Sequence, residues 1–80
     1  MYYQMRRDRD VTHYLYTLGE SGRVLREFIN ALKTDPYPEW AIFFPEDNLY
    51  ELCVENHIVL YEAQDEVEPR EVLILSVEPY

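Results

Sequence analysis

Basic residues almost vanish after the first third of this sequence. From Thr34 onward Arg70 is the only base against twelve acids, whereas residues 1–33 hold six basic and four acidic side chains. The 80 residues together carry a net charge of −9. Such a surface repels phosphate, so direct nucleic-acid binding by the C-terminal part is disfavoured. The same acids also serve to keep a small, aromatic-rich protein in solution. Cysteine is nearly absent too: Cys53 stands alone and cannot form an internal disulfide, which fits a reducing, cytoplasmic setting. No apolar run approaches the ~20 residues of a membrane helix, so no spanning helix and no membrane partner are expected. The opening MYYQMRRDRD has no apolar stretch behind its arginines and does not read as a secretory signal.

Metal-ligand spacing is likewise missing. Two histidines, one cysteine and scattered carboxylates form no zinc pattern. Glu62, Asp65, Glu66, Glu68 and Glu71 crowd one loop and its flanks without the glycine punctuation of a calcium loop, and read as a solvated charge run. Arg6, Arg7 and Arg9 are the one basic cluster; they can touch phosphate or offset Asp8 and Asp10. No metal and no cofactor are expected. There is no internal repeat and no linker, so residues 1–80 read as one domain, and 48% hydrophobic residues are enough for a folded core.

The most informative stretch is LYELCVENHIVLY, Leu49 to Tyr61. Two short apolar runs flank Glu55-Asn56, which reads as a β-hairpin with a tight loop. A two-residue loop sets Val54 opposite His57, Leu52 opposite Val59 and Tyr50 opposite Tyr61, all on one face. The other face then carries Leu49, Glu51, Cys53, Ile58, Leu60 and Glu62. In that register Cys53 and His57 lie on opposite faces, which argues against a thiolate–imidazole pair and for Cys53 as a small apolar residue.

Tyr2–Arg7 reads as a first strand. Asp8 or Asp10 can cap a helix whose stripe is Val11, Tyr14, Leu15 and Leu18, with His13 off the stripe and solvated. Gly19 suits a C-terminal cap. Ser21 is the expected cap of a second helix with the stripe Val24, Leu25, Phe28, Ile29 and Leu32, stopped by Thr34-Asp35-Pro36. Residues 36–48 are a connection that packs, with a short extended piece at Trp40–Phe44. Glu71–Val77 is the clearest strand, an apolar run suited to neighbours on both sides. The expected fold is α+β, two-layer, in the order β-α-α-β-β-β: an antiparallel sheet with a helical hairpin on one face. The opposite face is left without a cover.

At this point the chain resembles the RelE/ParE family, the toxins of type II toxin–antitoxin modules. The matching features are the two-helix start, Leu32–Pro36 followed by Pro38, Leu49-Tyr50-x-Leu52, Val59-Leu60-Tyr61 and Leu73-Ile74-Leu75-Ser76-Val77. The resemblance implies a toxin paired with an antitoxin. Ribonucleolytic members cut messenger RNA with basic residues on the open sheet face, because in-line attack by a ribose 2′-hydroxyl needs proton transfer and stabilisation of a charged phosphorane. Here those positions hold Glu51 and Cys53, then Ile58, and Glu78, Pro79 and Tyr80 after the last strand, while the family's hairpin tyrosine corresponds to Tyr61. No catalytic residue is therefore assigned, and an enzyme is not expected.

The open face (Glu51, Cys53, Ile58, Leu60, Tyr61 and Tyr80) becomes the expected binding surface, since an uncovered apolar patch in a soluble protein usually meets a partner. Its occupant is a cognate antitoxin-like protein, a second copy in a homodimer, or Trp40–Phe44 folding back. A cellular protein target is a further expectation, since ParE-type members inhibit DNA gyrase. The alternative from another class is an acidic protein-binding module or nucleic-acid mimic that inhibits a basic nucleic-acid-binding partner.

Overall fold

The computed structural model describes residues 2–80. Strand β1 (Gln4–Arg7) leads into helix α1 (Arg9–Thr17), a 3₁₀ turn (Gly19–Gly22) and helix α2 (Arg23–Ala31). Four strands follow: β2 (Ile42–Phe44), β3 (Leu49–Val54), β4 (His57–Gln64) and β5 (Glu71–Pro79). They form one sheet in the order β1-β5-β4-β3-β2. The two-layer α+β arrangement is as expected, with two differences in the sheet. Its Trp40–Phe44 piece is a fifth strand, paired antiparallel to the edge of β3. And β1 runs parallel to β5, so the sheet is mixed rather than wholly antiparallel. A parallel pair needs a long crossover, and the helical pair between β1 and β2 begins that return path. The run Glu71–Val77 accordingly has β1 on one side and β4 on the other.

Local chemistry explains the helix ends. Asp8 caps α1, its Oδ1 accepting from the Val11 N–H at 2.9 Å. Gly19 follows the helix at φ 58°, the left-handed conformation that ends helices cheaply only in glycine. Ser21 does not cap α2. Its hydroxyl donates back to the Leu18 carbonyl at 2.6 Å, and α2 starts from Gly22 without a side-chain cap. The intervening 3₁₀ turn runs straight into α2 and leaves Ser21 one position too early. Arg26 closes the junction, donating to the carbonyls of Leu15 and Gly19 at 2.8 Å each, groups the end of α1 cannot pair within the helix.

Gly22 is buried where the two helices meet. A Cβ there would sit 2.6 Å from the Leu18 Cβ and 2.9 Å from an Arg26 guanidinium nitrogen. Gly22→Ala therefore forces the helices apart and disturbs the Arg26 clamp. A loss of about 1–3 kcal/mol is expected, read by urea denaturation, and an unchanged midpoint would contradict this packing.

The hairpin takes the expected register: Val54 pairs with His57, Leu52 with Val59, Tyr50 with Tyr61 and Cys53 with Ile58. Glu55 (φ 50°) and Asn56 (φ 59°) both occupy the left-handed region, as a type I′ turn demands. Alternation, with a bulge at Leu75 that turns both Ile74 and Val77 inward, then sends Leu52, Val59, Tyr61, Val72, Ile74 and Val77 into one core with Tyr3, Val11, Leu15, Leu25, Ile29 and Leu32. His57, on the same face, ties the hairpin to α1. Its Nδ1 lies 2.7 Å from the Glu55 carbonyl and so carries the proton, leaving Nε2 to accept from the Tyr14 hydroxyl at 2.7 Å.

Candidate functional site

Cross-strand pairing lays out the open face in rows. Ser76, Leu60, Glu51 and Ile42 form one row across β5, β4, β3 and β2. Glu78, Ile58 and Cys53 form the next. Arg6, Leu73 and Glu62 form a third, and Phe44 pairs with Leu49 beside it. Four of the expected residues are thus brought together as two adjacent pairs, Glu51 with Leu60 and Cys53 with Ile58. Tyr80 lies at the hairpin end of the sheet, 69% exposed, its N–H donating to the Asn56 carbonyl at 3.1 Å.

Tyr61 is not on this face. Strand alternation places it opposite, between Tyr50 and Ile74, fully enclosed, with its hydroxyl donating to the Pro36 carbonyl at 2.7 Å. Burial and the neighbouring Tyr50 and Asp35 push its ionisation well above that of a free phenol. Nor does Trp40–Phe44 fold back over the open face. Pairing edge-on with β3, β2 widens it instead, adding Ile42 (52% exposed) and Phe44 (40%). Trp40 turns to the helices, its ring edge-on to Phe28 at 6.2 Å.

The face is acidic as well as apolar. Among the described residues Arg6 is its only basic strand residue, and it sits 3.5 Å from Glu71. Glu51, Glu62 and Glu78 have no ion-pair partner among the described residues. An ensemble of Ile42, Phe44, Leu49, Ile58 and Leu60 studded with these carboxylates suits an apolar surface with basic groups. Among the described residues no group of three or more His, Cys, Asp or Glu side chains is placed to hold a metal ion, and no helix is long and apolar enough to cross a membrane.

A second constellation has no signal in the sequence. Asp65, one of the loop acids, accepts hydrogen bonds from the hydroxyls of Tyr3 and Tyr37. These bonds, with Arg70 nearby, hold its carboxyl below the usual aspartate range. Stability from this group is present above the unfolded-state value of about 4 and is lost as pH falls through the lower folded-state value. Tyr37, Tyr50 and Tyr61 act with the opposite sign, because burial raises all three. They contribute below about pH 10, where free phenols begin to ionise, and that contribution falls away as pH rises further. Urea midpoints are therefore expected to drop on both sides of a neutral plateau. Asp65→Asn should flatten the acid limb and also soften the alkaline one, because the Asp65 charge helps raise Tyr37 and Tyr50; an acid limb unchanged by that substitution would contradict the assignment.

No family model matches this sequence, and no curated protein matches it. Among solved structures, the chain is similar to the E. coli toxin RelE, determined in the free state as a mutant with arginines changed to alanine. The superposition has a TM-score of 0.74 at 18% identity and covers 99% of this chain and 84% of that one. At this identity the likeness bears on architecture, with substrates and partners left aside. This chain has the RelE-like fold.

Proposed function

We propose that this protein is a RelE-like member of a type II toxin–antitoxin pair that acts by binding protein through its open sheet face, without a ribonuclease site. The observation that carries this reading is the composition of that face. Cleavage of RNA asks for cations at the scissile phosphate, and the rows here offer Glu51, Cys53, Ile58 and Leu60 with Arg6 engaged by Glu71. What remains is an apolar, acidic surface, the chemistry of a protein contact.

Regulated expression in a bacterial host tests the reading. Growth arrest is expected, relieved by co-expression of the cognate antitoxin. Purified protein added to translating ribosomes should leave the message intact; translation-dependent cleavage would overturn the proposal in favour of a ribonuclease. The three unpaired carboxylates also favour a second reading, an acidic mimic that occupies a basic nucleic-acid-binding surface. Salt separates the two: a mimic's affinity falls steeply between low and high ionic strength, whereas contact through the apolar rows holds.

A further inference from the structure

Where the 36–38 connection meets the 64–70 loop lies a cleft of about 390 Å³ lined by Tyr37, Asn48, Tyr50, Ala63, Gln64, Asp65, Glu66 and Val67. Two of its walls are rings: Tyr37 and Tyr50 stand 5.3 Å apart, inclined at 55°. Behind them Tyr50 packs on Phe43 at 4.7 Å and stacks on Tyr61 at 5.4 Å, which anchors the wall to the core. Tyr37 is fixed from the other side by the bond of its hydroxyl to Asp65, itself tied to Tyr3. The walls are therefore set before any ligand arrives, and the ordering cost on binding is small.

The polar lining is one-sided. Besides the hydroxyls of Tyr37 and Tyr50 it comprises two carboxylates and two amides, with no basic side chain. Asp65 spends one acceptor site of each oxygen on a tyrosine and keeps the others; Glu66 is exposed. Arg70 acts on the charge of Asp65 from outside the cleft, lying over the Tyr3 ring at 5.7 Å from its centroid, and does not line the cavity. An anion is repelled here, and a neutral ligand would leave the carboxylates unused. A planar cation meets every group: its face lies on an aromatic ring and its N–H donors reach carboxylate oxygens in pairs. Guanidinium matches this better than ammonium, being flat, more weakly hydrated and equipped with a fork of donors.

We infer that this cleft is a recognition site for an arginine side chain of a partner polypeptide. The cleft adjoins the open sheet face at Gln64, whose side chain donates to Glu62, and the inference stands whether or not that face proves to be the toxin's working surface.

The test uses the intact protein with N-acetyl-arginine amide as probe, followed by two-dimensional NMR. Saturable shifts centred on Tyr37, Asp65 and Glu66 and confined to the lining of the cleft are expected. The citrulline analogue, which keeps the shape and loses the charge, should bind roughly tenfold more weakly or worse, in line with the loss of a charge-assisted pair. Tyr37→Leu removes one wall and should abolish the shifts. Glu66→Gln, on an exposed side chain with no structural bond, should weaken binding about threefold to tenfold with the fold intact. Equal binding of the citrulline analogue would overturn the inference. So would shifts spread over Glu51 and Glu78, which would mark diffuse charge attraction, and so would the absence of saturation.

Discussion

Ile58→Asp is expected to abolish growth arrest while the protein remains folded. Ile58 lies on the open face towards its hairpin end, in register with Cys53 on one side and Glu78 on the other. Its side chain points away from the core, so the fold loses only what a second carboxylate beside Glu78 costs, about 1 kcal/mol or less. A partner seated on the face loses far more. Burial of the isoleucine contributes roughly 1.5–3 kcal/mol, and enclosing an unpaired carboxylate costs several more. About 4 kcal/mol corresponds to a thousandfold weaker complex. Ile58→Arg is the companion variant. Contact through the apolar rows is broken by either substitution, whereas a mimic of nucleic acid keeps or gains affinity with Asp and loses it with Arg. Arrest that persists in a folded Ile58→Asp would remove the open face from the mechanism.

Replacing Tyr61 should do the reverse, destroying the fold without touching the face. The ring is the largest fully buried side chain, and its truncation to alanine empties the space between Tyr50, Ile74 and Pro36. Aromatic-to-alanine changes in a core cost about 3–5 kcal/mol, against a total of roughly 4–12 kcal/mol for a chain of this size. Tyr61→Ala is expected to lose its cooperative thermal transition or retain a greatly lowered one. Tyr61→Phe isolates the hydroxyl. It leaves the buried Pro36 carbonyl without its donor, a cost of about 1–3 kcal/mol and a Tm drop of roughly 4–8 °C for each kcal/mol. A Tm for Tyr61→Phe equal to wild type would mean that water replaces the hydroxyl at Pro36.

Most of the hairpin was legible because its two apolar runs leave room for only two loop residues, and a strand has only two faces. Once Val54 faced His57, the partners of Leu52 and Tyr50 followed. The same rule places Tyr61 on the helix side. Grouping it with the open face followed the family resemblance against the strand's own alternation, and alternation prevailed. Glu71–Val77 was legible as a strand with two neighbours because an apolar run has no face to spare for water. Which strand would flank it was not, since parallel pairing by Gln4–Arg7 leaves no mark on local pattern. The Asp65 cluster was hidden more deeply. Tyr3 and Asp65 are 62 positions apart, and a tyrosine followed by other polar residues looks the same whether its hydroxyl meets water or a carboxylate. Ser21 failed as a cap for a local reason, the 3₁₀ turn that shifts the start of α2.

The parallel pairing of β1 with β5 has a temporal side. A ribosome delivers β1, α1 and α2 well before residues 71–79, yet β5 is the strand that joins β1 to the rest of the sheet. Until it emerges, β1 has no ladder partner and the stripes of Leu15, Leu25 and Ile29 lack Val72, Ile74 and Val77 to close on. The early elements must wait with apolar surface in water, while β2 to β4 can pair as soon as they appear. A nascent chain of this protein is therefore most exposed to chaperones and proteases in the interval before β5 is made, and the core closes only once that strand has joined β1 to β4.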